Sequence, residues 1–184
     1  MESVIIYVQD KSDGMEKKMK LEFDVKLTAN DLFLFNIKQA YRGMQGILSI
    51  ILPILVFAYA KTTWGEVSIG STLVYVGLGI LFLVYVPISL WLRVNKSIKD
   101  PNNALSKTLH YVFSEKCIQV SVEAEQVEFQ WENIFQLKKS GKQLLIYTNR
   151  INAYILPLEQ LHGKYEELAK LAHTKLDKHR ISMN

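Results

Sequence analysis

Hydrophobic and polar positions along this chain follow three different periods. Met19-Lys20-Leu21-Glu22-Phe23-Asp24-Val25-Lys26-Leu27 alternates apolar and charged residues strictly, which is the period of a strand with one buried and one wet face. Val4 to Val8 reads as its hairpin partner, with turn residues between Asp10 and Gly14. A short amphipathic helix follows, N-capped by Thr28 or Asn30, with Leu32, Phe35 and Ile37 among its apolar positions.

From Gly43 the pattern becomes uniformly apolar, and as far as Leu92 only Lys61 and Glu66 carry charge. Gly43 to Ala60 is close to the ~20 residues a helix needs to cross a bilayer, and Val67 to Leu92 exceeds that length. Pro53 and Pro87 are tolerated in such spans, where neighbouring groups satisfy the freed carbonyls. A buried helix of a soluble core would show a polar stripe, and neither segment does. Only residues 61–66 separate the two, so they are expected to be antiparallel neighbours with both tails on one side. Lys38, Arg42, Arg93, Lys96 and Lys99 flank the tails against Lys61 alone in the turn, which makes both termini cytoplasmic. The preceding amphipathic helix is then expected at the membrane surface, with Lys38 and Arg42 near the headgroups. Gly70, Gly77 and Gly79 are candidates for close helix approach, within the hairpin or in a homo-oligomer.

Beyond the turn at Asp100-Pro101-Asn102-Asn103 short strand patterns recur without any helical period. Strands are predicted at Leu109–Phe113, Ile118–Val122, Val127–Trp131, Ile134–Leu137, Leu144–Tyr147 and Ala153–Leu156, forming an antiparallel meander. After Pro157 the spacing of Leu161, Tyr165, Leu168, Ala172 and Leu176 is helical, with Glu166 and Lys170 placed to pair. Element order therefore predicts a membrane α+β protein, in which a two-helix transmembrane hairpin is inserted in a cytoplasmic PH-like antiparallel β-barrel or sheet capped by a C-terminal helix. Its parts are residues 1–42 (β-hairpin and lead-in helix), 43–60 (first span), 61–66 (external turn), 67–92 (second span) and 93–184 (PH-like domain).

Charge and composition narrow the function. The net charge of +4 is spread among acids with no basic run, so a nucleic-acid partner is not expected. One cysteine, Cys117, excludes an internal disulfide. The start of the chain lacks the apolar core of a cleavable signal peptide. His110, His162, His173 and His179 make no metal spacing, and no cofactor motif is present. Ser140-Gly141-Lys142 is a hairpin turn and not a phosphate loop. Cys117 beside His110 is the only nucleophile pair to consider, and an inert buried thiol is the simpler reading. Trp131, in Gln-Trp-Glu-Asn, reads first as a core anchor and second as a ligand contact. With Phe135, Lys38, Arg42, Arg93 and Lys96 it makes up the set of candidate partner or lipid contacts.

Three stretches carry a family resemblance: Leu27 to Phe35, His110 to Ile134 (HYVFSEKCIQVSVEAEQVEFQWENI) and Leu144 to Leu161 (LLIYTNRINAYILPLEQL). In these the chain resembles the YcxB-like family of bacterial membrane proteins, departing from it at Lys116-Cys117, where a glycine is typical. The resemblance implies a two-helix anchor with a PH-like C-terminal domain in the bacterial cytoplasmic membrane, and it implies no activity. The expectation is a non-enzymatic multi-pass membrane protein whose cytoplasmic domain is a scaffold or binding module for a protein or lipid partner. The alternative is an immunity protein protecting the cell from a membrane-active peptide or secreted toxin.

Overall fold

A computed structural model describes residues 20–183 of the chain. The predicted Val4–Val8 strand and its turn lie outside those residues. Strand β1 (Leu21–Lys26) has the alternation its sequence demands, with Leu21, Phe23 and Val25 buried. Helix α1 (Ala29–Ala40) starts at Thr28, which forms a capping box with Asp31: the Asp31 backbone N–H donates to Thr28 Oγ1 at 3.2 Å, and the Thr28 N–H donates to Asp31 Oδ2 at 3.0 Å.

Helices α2 (Met44–Thr62) and α3 (Ile69–Lys99) form the antiparallel hairpin expected from the short link. Pro53 and Pro87 lie inside them without ending either. With 31 residues α3 is about 46 Å long at 1.5 Å per residue. It is the helix long and apolar enough to cross a membrane, whereas the apolar stretch Gly46–Thr62 of α2 is shorter. Of the three candidate glycines only Gly79 is packed against the partner helix, where an added Cβ would meet the Phe57 ring at 2.5 Å; Gly70 and Gly77 have open space or ordinary contact.

Six further strands follow: β2 (Thr108–Phe113), β3 (Cys117–Val122), β4 (Glu125–Gln130), β5 (Gln136–Ser140), β6 (Gln143–Tyr147) and β7 (Ala153–Pro157); Trp131, expected to end one strand, lies in a 3-10 turn (Trp131–Asn133), and the strand expected from Ile134 begins two residues later. Helix α4 (Tyr165–Lys175) and a two-residue strand β8 (Ile181–Ser182) complete the order. The strands do not form one meander. They make two four-stranded sheets, β1-β2-β3-β4 and β7-β6-β5-β8, and no barrel closes among the described residues. The first sheet joins the two flanks of the hairpin, since Phe23 of β1 lies opposite Tyr111 of β2. The second is mixed, because β8 adds to β5 in parallel, a strand too short to leave a periodic signal. Glu166 and Lys170 do not form an ion pair among the described residues.

Strand β6 is buried at every position. Alternate side chains of a strand face opposite ways, so burial throughout requires a cover on each side. Leu144 and Ile146 belong to the main core. The other parity meets α1: Gln143 Nε2 donates to the Asp31 carbonyl at 2.8 Å, and the Phe35 ring lies 6.4 Å from that of Tyr147. Helix α1 therefore lies across the second sheet, and Phe33 meets Trp91 of α3 edge-on at 5.3 Å. A single core receives side chains from both sheets, from Leu32 of α1, Val94 of α3 and Leu168, Leu171 and Ala172 of α4.

Candidate functional site

Two clefts flank α1. The first has a volume of about 370 Å³. It exists because the first sheet ends at β4 and the second at β7, which leaves the inner face of β2–β4 partly uncovered. Leu32 and Phe35 of α1, Leu109 and Tyr111 of β2, Val127 of β4 and Tyr154 of β7 are among its walls. Val127 is 46% exposed although Val120, opposite it in the register, is buried.

Tyr111 is the unusual wall residue. It is fully buried, stacks on Phe113 at 6.4 Å and meets Tyr154 edge-on at 6.3 Å. Its hydroxyl has no hydrogen-bond partner among the described residues. Burial, with the neighbouring Tyr154 as a second cause, pushes its ionisation far above the ordinary tyrosine range. An unpartnered buried hydroxyl costs about 1–3 kcal/mol by mutational measures, so its presence on an apolar wall is the feature most in need of a partner. The cleft, with its apolar walls, suits an apolar group.

The second cleft, of about 290 Å³, lies between the C-terminal half of α1 and the outer face of β5 and β6. Lys38, Arg42 and Lys138 line it together with Ser140 and Tyr147. Lys38 Nζ donates to Ser140 Oγ at 2.9 Å, and an Arg42 N–H reaches the Tyr147 hydroxyl at 3.5 Å.

The predicted contact residues thus separate into three groups. Lys38 and Arg42 come together at the second cleft, joined by Lys138, which lacked any marker distinguishing it from a solvated strand lysine. Arg93 and Lys96 sit exposed on the last turns of α3 and line neither cleft. Trp131 is in the core: it is 4% exposed, its indole N–H donates to the Ser114 carbonyl at 2.9 Å, and its ring meets Phe113 at 6.4 Å. Phe135, four residues on, is 47% exposed.

The nucleophile pair does not assemble. His110 Nδ1 lies 2.6 Å from Asp24 Oδ1, directly across the β1–β2 ladder. Cys117 is buried at the start of β3, its thiol 3.6 Å from Ser114 Oγ, and burial pushes its ionisation up. The described residues hold no group of three or more potential metal ligands. Arg180 donates to the Glu132 carbonyl at 2.8 Å and ties the segment after α4 to the turn after β4.

These features define a class: an α+β domain of two open sheets, interrupted by an apolar helical hairpin and carrying one apolar and one cationic cleft. A family model described as YcxB-like protein matches residues 113–172, from the end of β2 into α4, about a third of the chain, so over that stretch the chain is similar to YcxB-like proteins. The match includes none of the apolar hairpin. No curated protein and no solved structure matches the chain.

Proposed function

We infer that this chain is a bacterial membrane-anchored binding module, non-enzymatic, with α2 and α3 as two spans and both termini cytoplasmic. The carrying observation is that the outward side chains of the hairpin are exposed while the end of α3 is embedded in the domain core. Ile54, Leu55, Leu73 and Leu81 are each more than half exposed, yet Val94 is buried. Half-exposed Leu or Ile forfeits on the order of 1 kcal/mol of burial in water, and a bilayer removes that penalty from all of them at once. The order of two sheets followed by a C-terminal helix supports a PH-like domain left open at one corner. In this reading that open corner, the first cleft, receives an apolar group of a protein or lipid partner.

The test is topology in native membranes on a Cys117→Ser background. Glu66→Cys is expected to react with an impermeant maleimide from outside, and Lys178→Cys only after permeabilisation. Reaction of both in intact cells, or recovery of the unmodified chain as a monodisperse species without detergent, would overturn the reading.

A further inference from the structure

We propose that the second cleft is a headgroup site for an anionic phospholipid, with Lys38, Arg42 and Lys138 holding the phosphate. The proposal rests on the membrane reading above and adds a ligand class to it. Three cationic side chains line this cleft, and no carboxylate is among the described residues lining it. The ion pairs of the described residues lie elsewhere, at Lys20–Glu22, Lys107–Glu123, Asp24–His110 and Lys142–Glu159. Like charges gathered without a counter-charge repel, and an anion seated among them relieves that repulsion.

Position selects the lipid over a soluble anion. Arg42 stands two residues before the start of α2 at Met44, so the cleft lies at the foot of the hairpin. With α2 in the hydrocarbon, that foot is at headgroup depth. The cleft also has apolar walls, Phe35 and Leu145, against which the glycerol and first methylenes of a lipid can rest. Lys38 is already oriented by Ser140 Oγ, so one cation needs no ordering on binding. A free phosphate gains nothing from the apolar walls, and its attraction to the cations is screened by salt.

The experiment uses the full chain in neutral detergent, with bound lipid counted by native mass spectrometry. Dioleoyl phosphatidylglycerol is titrated against dioleoyl phosphatidylcholine. The wild-type chain is expected to retain the anionic phosphatidylglycerol preferentially, and each cation replaced in the series Lys138→Gln, Arg42→Gln, Lys38→Gln lowers that preference roughly fivefold. An Arg93→Gln/Lys96→Gln chain keeps the wild-type preference, because those cations lie outside the cleft. Lys138→Gln alone, on a surface strand position, serves as the readout if the triple variant does not fold. Undiminished preference in the cleft variants, equal loss in the α3 control, or displacement of the lipid by excess inorganic phosphate each overturns the assignment. Alkaline extraction of wild-type membranes separates the two readings. Release of the chain removes the anchor itself, whereas retention without lipid preference removes only the headgroup site.

Discussion

Replacing Tyr111 by Phe isolates a buried hydroxyl that has no partner among the described residues. The ring contacts survive the change: the stack on Phe113 at an 11° interplanar angle and the edge-on meeting with Tyr154 both need only carbon atoms. What is lost is a buried polar atom with no hydrogen bond. Desolvating such a hydroxyl costs about 1–3 kcal/mol, so Tyr111→Phe is expected to stabilise the domain by about 1–2 kcal/mol, or roughly 3–6 °C in melting temperature. Near-UV circular dichroism of the purified chain in neutral detergent reads the transition.

The pH dependence supplies an independent sign. Folding raises the Tyr111 pKa above its unfolded value of about 10, so the group's contribution is fully present below that value and is lost as pH climbs beyond it. Wild-type stability is therefore expected to fall above about pH 10, and the fall is shallower in Tyr111→Phe. Some alkaline loss persists in the variant, because burial also raises Tyr154 and Tyr165. A variant less stable than wild type by more than about 1 kcal/mol, with the same alkaline slope, would refute the reasoning, since the hydroxyl must then already be hydrogen-bonded.

Three further outcomes follow from contacts described above. Trp131→Ala removes a core ring and the hydrogen bond to the Ser114 carbonyl, and a loss of about 3–5 kcal/mol is expected in urea denaturation; a change under 1 kcal/mol would return Trp131 to the surface. Gly79→Val drives a side chain into the Phe57 ring and is expected to cost about 1–3 kcal/mol of thermal stability in detergent, whereas Gly77→Val leaves it unchanged, and equal effects would disprove the packing. Alkylation of Cys117 at neutral pH is expected to be much slower than that of a free thiol and to accelerate with pH beyond the ordinary cysteine range, because burial holds the thiol protonated; fast labelling of the native chain at pH 7 would contradict this.

The strands were legible as short apolar patterns bounded by turn residues, with β1 keeping a strict alternation, and Trp131 carried its core role in its setting between a strand and a tight turn. What the pattern did not contain was the pairing between distant segments. The alternation of β1 specifies a buried face and says nothing of the β2 strand beyond the hairpin that completes its ladder. Gln143 reads as a polar strand residue, yet it is 2% exposed because Asp31 of α1 supplies its acceptor from 112 positions away. The openness of the fold was equally hidden: Val127 alternates like any inward residue, and only the absence of a β4–β7 ladder leaves it at the mouth of a cleft. Lys138 became part of a site through the placement of α1, which no local period encodes.

The same placement of α1 determines how the hairpin is held. One end of the hairpin follows α1, which is fastened to the second sheet through Gln143, Tyr147 and Ser140. The other end is α3 itself, running unbroken for 31 residues into the core at Val94. Two attachments, one on each helix at the foot of the antiparallel pair, leave little freedom for the domain to swing about a single joint, so the geometry there is set by packing and not by a linker. Phe35 makes this concrete, because its ring is a wall of both clefts. Whatever displaces α1 from the second sheet must reshape the apolar cleft and the cationic one together.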